Sequence, residues 1–246
     1  MSSEVPAPPN DPDVLQEIVE AGTTLFHGHR RAYGATIFNQ GSRPAGRFSF
    51  FRADTGASVP AFYAGLTGQV AVAETLLHDV PLRGGQITWA EQDLRIISAV
   101  RCSRELRLGQ LHGAGLRLLE LTASEDRSHR ATKERRGEAR SERGSEQSDL
   151  GLKPRGLTDT ESDEYPRTVR WAAAIHAAHP GLDGLVWMSA RWNTSKAAVL
   201  FGDRVTSTEL IAEPLVSRDF RIPSDREWLL EVLDRVNVAA MPPVAE

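Results

Sequence analysis

Short apolar runs, separated by Gly-, Ser- and Pro-rich punctuation, recur along this chain. Asp11-Pro12 offers a helix cap followed by Pro at a first helical position. Leu15, Ile18 and Val19 then repeat at helical spacing, and Gly22 stops the run. Thr24 to His27 reads as a strand. The Gly-, Ser- and Pro-rich stretch 39–46 reads as a loop. Arg47 to Phe51 and Val59 to Tyr63, rich in aromatic and β-branched residues, read as strands. Thr67 caps a predicted helix that runs to about His78, with Pro81 beyond its end. Gln86 to Trp89 and Leu94 to Cys102 follow as strands. The apolar runs Leu106–Leu111 and Leu116–Leu121 carry no clear period. Later come a helix from Arg167 to His179, ended by Pro180-Gly181, and strands Leu185–Met188 and Ala198–Phe201. A last helix has Ser224 and Glu227 as a capping box.

One segment breaks the pattern. Residues 125–147 set Arg127, Arg130, Lys133, Arg135, Arg136, Arg140 and Arg143 against Glu125, Asp126, Glu134, Glu138, Glu142 and Glu146. Alanine supplies the only apolar side chains there, too little to offset the entropy of ordering. The expected organisation is a frayed tail at 1–10 and one domain over 11–246, with a mobile charged insertion at 125–156. The fold class expected is α/β (α+β), a twisted mixed or antiparallel sheet flanked by helices.

Composition narrows the function classes. The chain has 246 residues, 40% hydrophobic and 25% charged, with a net charge of −4 and a pI near 6.0. That balance gives no general attraction to nucleic acid or anionic membrane. No apolar run approaches membrane-spanning length and no secretory signal is visible, so a cytoplasmic protein is expected. Cys102 is the single cysteine, which excludes an intrachain disulfide and a cysteine metal cluster. The histidines are scattered, and no metal site is expected.

The candidate chemistry sits where polar residues emerge from apolar runs. Arg47 follows the Gly-rich loop, where its fork suits phosphate oxygens. Glu74 lies on a helix otherwise lined with Ala, Val and Leu, and Ser189 directly follows the run Leu185–Met188. Taken singly, each is more often structural than functional. Their order is more specific. Gly46-Arg47-Phe48, Phe62-Tyr63-Ala64, Ala71-Val72-Ala73-Glu74-Thr75, Thr168-Val169-Arg170-Trp171-Ala172, Gly184 to Arg191 and Val199-Leu200-Phe201 follow one another across about Leu25 to Val205. That series resembles the RES-domain family, named for its Arg, Glu and Ser.

The resemblance implies a fold similar to ADP-ribosyltransferase toxins. It also implies cleavage of the nicotinamide–ribose bond of NAD, by phosphorolysis or hydrolysis. NAD is then a substrate, and inorganic phosphate is a co-substrate where cleavage is by phosphorolysis. On the same basis Glu74, Arg47 and Ser189 form the catalytic set, and His27, Tyr63, Arg47 and Arg191 the NAD-binding set. The family also implies a toxin of a toxin–antitoxin pair, with a helix-turn-helix antitoxin as partner. It leaves room for a homodimer, and neither nucleic acid nor membrane is contacted. His27 departs from the pattern, because an arginine is expected there. A histidine that clamps phosphate predicts turnover rising as pH falls from about 8 to about 6, through its reference titration range. Two other readings stay open: transfer of ADP-ribose to a protein, and an impaired domain that binds NAD or a partner.

Overall fold

A computed structural model describes residues 5–41, 46–78, 80–81, 84–90, 95–119, 157–158, 160 and 162–242. The strands are β1 (Gln16–Val19), β2 (Thr24–Arg30), β3 (Ala61–Gly65), β4 (Gln86–Thr88), β5 (Arg95–Cys102), β6 (Leu106–Gln110), β7 (Gly184–Met188), β8 (Lys196–Phe201), β9 (Leu210–Ala212), β10 (Arg218–Asp219) and β11 (Ala239–Met241). The helices are α1 (Gly68–Thr75), α2 (Tyr165–Ala178) and α3 (Pro223–Arg235), and residues 113–119 are also helical.

Nine strands join one curled sheet in the order β1-β6-β7-β8-β3-β2-β5-β10, with β9 also pairing with β5. Its ladders are antiparallel except between β6 and β7. Strands β4 and β11 form a separate parallel pair. One face of the sheet buries Leu25, Phe62, Val100, Leu108, Val186 and Leu200 under Phe38, Val205 and Leu210. The opposite face carries the helices. Trp171 and Ile175 of α2 pack with Trp187, Val199 and Phe48, and Leu229 and Leu233 of α3 pack with Ile97 and Val72. This is one mixed α/β domain, as the sequence implies. Cys102 is fully buried on the first face, and burial pushes its thiol up to about 11.

Several sequence-based expectations change. The predicted helix at 11–22 contains strand β1 instead, whose Val19 is buried while Ile18, and Leu15 just before the strand, are about two-fifths exposed. An i, i+4 pair such as Leu15 and Val19 fits both periods in so short a run, and pairing with the open edge of β6 settles the outcome. Gly22 does end the element, at φ +89° in the turn to β2. Residues 5–10 do not form a frayed tail. Val5 is buried in the core, and the Pro6 carbonyl accepts from Trp171 Nε1 at 2.7 Å.

Arg47 to Phe51 forms a turn and irregular backbone instead of a strand. Side chains satisfy its polar groups: the Phe48 amide donates to Tyr63 Oη at 3.0 Å, and Thr168 Oγ1 donates to the Arg47 carbonyl. The last helix starts at Pro223, so Ser224 lies inside its first turn and does not cap it. A capping box instead joins Thr206 and Glu209. Thr67 caps α1 as expected, its Oγ1 accepting from the Val70 amide at 3.3 Å. The charged segment 125–147 lies outside the described residues.

Candidate active site

Helix α1 is pressed unusually close to β2. A Cβ built on Gly28 would lie 2.2 Å from Thr75 Oγ1, so only glycine permits this approach. The helix buries Val70, Ala71, Val72 and Ala73, while the next residue, Glu74, is left half-buried at the rim. Strand β7 ends at Met188, and Ser189 follows it with no exposed surface. The two residues meet: Ser189 Oγ donates to Glu74 Oε1 at 2.7 Å across 115 residues of sequence. The same Oγ accepts from the Trp192 amide at 3.2 Å. Both functions of the hydroxyl are therefore occupied. Ser189 orients the carboxylate, and Glu74 Oε2 has no partner among the described residues. A hydrogen bond to a charged acceptor contributes about 1.5–3 kcal/mol, enough to fix one rotamer.

Arg47 is half-buried beside the first turn of α2. Its Nε donates to Thr160 Oγ1 at 3.2 Å, and its Nη2 to the Thr160 carbonyl at 3.3 Å. Nη1 has no partner among the described residues. The guanidinium carbon lies 5.9 Å from the centre of the Tyr165 ring. Tyr63 sits nearby, its hydroxyl held by the Phe48 amide and by Ser49 Oγ at 3.1 Å. Burial pushes that hydroxyl up to about 12, so it stays protonated. Gly46 has a role other than the one its place before Arg47 suggests: a Cβ there would lie 2.5 Å from Tyr63 Oη, so the glycine makes room for the tyrosine.

Two expected ligand contacts receive structural tasks. Arg191 donates to the carbonyls of His78, at 3.0 Å, and Val80. It braces the chain after α1 against the turn that carries Ser189. His27 lies on the wrong face for a substrate shared with Glu74. Side chains alternate along β2, so Phe26 and Gly28 face α1, while His27 stacks on Phe62 at 4.1 Å across the sheet. Strands β2 and β3 share a single register pair, Phe26 with Gly65. His27 Nδ1–H fills the gap by donating to the Tyr63 carbonyl at 2.6 Å. Burial lowers the imidazole to about 4. It is therefore neutral from pH 8 to pH 6, and the expected rise in turnover over that range has no titrating group at this position.

Sequence reasoning missed Thr160, Tyr165 and His78. Thr160 lies just after the charged insertion, and neither of the others stands in a quoted motif except by adjacency. His78 lies four residues beyond Glu74, a spacing that could have pointed to it. Among the described residues no group of three or more His, Cys, Asp or Glu could hold a metal ion. No described helix is long and apolar enough to cross a membrane.

No curated protein and no solved structure matches the chain. The RES-domain family model matches residues 24–225, a span that takes in Arg47, Glu74 and Ser189. With that match covering most of its length, the chain belongs to the RES-domain family, which is linked to NAD.

Proposed function

We propose that this protein cleaves the nicotinamide–ribose bond of NAD. The observation that carries the reading is the Ser189–Glu74 hydrogen bond, which aims one carboxylate oxygen while leaving the other open. In the reaction the bond from ribose C1′ to the nicotinamide nitrogen breaks, and its electron pair neutralises the pyridinium. Positive charge then grows on the ribose. Glu74, beside the ribose hydroxyls, offsets that charge as it develops, as carboxylates do in glycoside cleavage. An oxygen of phosphate or water closes on C1′, and with water one proton is released. Arg47 Nη1 holds the pyrophosphate or the attacking phosphate. The ring of Tyr63, whose hydroxyl is held by the Phe48 amide and Ser49, borders the nicotinamide. Such an activity would make the protein a toxin, restrained in the cell by a helix-turn-helix antitoxin over the cleft.

The second reading is a domain that binds NAD without turnover. It is favoured by His27, which occupies the place of an expected arginine but donates to the Tyr63 carbonyl and is neutral. Incubation of purified protein with NAD, with and without phosphate, separates the readings. Free nicotinamide with phosphate-dependent loss of NAD supports phosphorolysis, and loss without phosphate supports hydrolysis. Label retained on protein points to ADP-ribose transfer. Binding without loss of NAD refutes cleavage and leaves the second reading.

A further inference from the structure

Tyr165 and His78 adjoin the candidate site from two sides. Tyr165 is the first residue of α2 and is buried. Its ring lies beneath the Arg47 guanidinium, and its hydroxyl is hydrogen-bonded to His78 Nε2. The two rings meet edge to face at 5.6 Å. His78 stands four residues beyond Glu74, in the turn that follows α1, and its own carbonyl is held by Arg191. Three residues along α2, Thr168 grips the Arg47 carbonyl. The first turn of α2 thus holds Arg47 by its backbone and by its guanidinium. The Tyr165–His78 bond ties that turn to the segment that presents Glu74.

We propose that Tyr165 and His78 are positioning residues that set the separation between Arg47 and Glu74, and with it the fit of a dinucleotide between an anion clamp and a ribose-facing carboxylate. The proposal rests on the NAD-cleaving reading of the site. The physical need is plain. A free arginine side chain samples many rotamers, and a guanidinium held on a ring and on Thr160 has lost that freedom before the ligand arrives. The hydroxyl of Tyr165 then decides where the ring, and so the guanidinium, stands relative to α1. The transferable feature is the pairing: Tyr165 without His78 is a platform with no fixed height.

The test uses Tyr165→Phe, His78→Ala, His78→Gln, the double variant Tyr165→Phe/His78→Ala and Tyr165→Leu in the full chain. The readouts are NAD turnover and calorimetric affinity for inorganic pyrophosphate. Tyr165→Phe and His78→Ala should each raise KM for NAD by about three- to fivefold with kcat within about twofold, because only positioning of the clamp is lost. For positioning of the clamp, the double variant should match either single one, since each single change already breaks the bond the two residues share. His78→Gln, which keeps an acceptor, should recover much of the wild-type KM. Tyr165→Leu removes the platform and should raise KM by about tenfold. If that variant does not fold, Tyr165→Phe and His78→Ala decide. Unchanged KM in both, or effects that multiply in the double variant, would overturn the proposal. If the wild type does not consume NAD, the reading of the reaction fails separately. Pyrophosphate affinity then decides: weaker binding in both single variants sustains the positioning role, and equal binding ends it.

Discussion

Mild acid should loosen this fold through His27, well before its carboxylates titrate. The imidazole is lowered to about 4 by burial between Phe62 and His29, partly offset by its bond to the Tyr63 carbonyl. In the unfolded chain it returns to about 6.5. A histidine depressed in the folded state binds its proton more readily when unfolded, so its effect is absent above about pH 6.5 and grows as pH falls towards 4. The full gap between the two values corresponds to roughly 3 kcal/mol, and about 2 kcal/mol of it is lost between pH 7 and pH 5. His29 and His176 are lowered for the same reason, burial, and act in the same direction. Glu17, Glu209 and Asp219 are also lowered, but the stability they contribute is lost only as pH falls through and below the ordinary carboxylate range. Urea titrations followed by tryptophan fluorescence at pH 7, 6 and 5 stay above that range. His27→Leu is the control. It leaves the Tyr63 carbonyl without its donor, costing about 1–3 kcal/mol at pH 7, but its stability should fall less steeply with pH than the wild type's. A wild-type loss under about 0.5 kcal/mol between pH 7 and 5, or equal slopes for the two proteins, would refute the reasoning.

The remaining predictions concern the site and the core. Glu74→Gln keeps the shape and removes the charge, so turnover should fall about a hundredfold, near 3 kcal/mol of transition-state stabilisation; full activity in steady-state assays would remove Glu74 from the chemistry. Ser189→Ala frees the carboxylate and should lower kcat by about ten- to a hundredfold, with KM for NAD moving much less; a change confined to KM would place the serine on the substrate instead. Deleting residues 1–8 removes Val5 from the core and orphans Trp171 Nε1, so denaturant unfolding should show a loss of about 2–4 kcal/mol, and an unchanged midpoint would show the N-terminal segment to be decoration.

Much of the architecture was legible because local and tertiary demands agree. The strands Leu94–Cys102, Leu185–Met188 and Ala198–Phe201 are each flanked by strands on both sides, where buried apolar runs have one use. Their observed bounds differ by a residue or two. Helix α1 was legible from Thr67, and α2 from Pro180-Gly181 beyond its end. The misses fall where tertiary partners override local preference. Strand β1 is an edge whose partner lies far along the chain, and 47–51 is irregular because the side chains of Tyr63 and Thr168 satisfy its backbone. Val5 gave no signal, since a single valine among prolines acquires a place only once α2 exists to receive it.

The sequence by itself determined the family and the mixed α/β class, and it singled out Arg47, Glu74 and Ser189 as candidates, because these depend on residue types in a fixed order. What each residue touches was decided by the tertiary structure. Ser189 turned out to serve Glu74, Arg191 to serve the chain after α1, and His27 to bridge two strands on the face away from the site. Which face a strand residue takes is set by register, and register belongs to the whole sheet. A hydrogen bond joining residues 115 positions apart exists only when α1 and β7 have already packed.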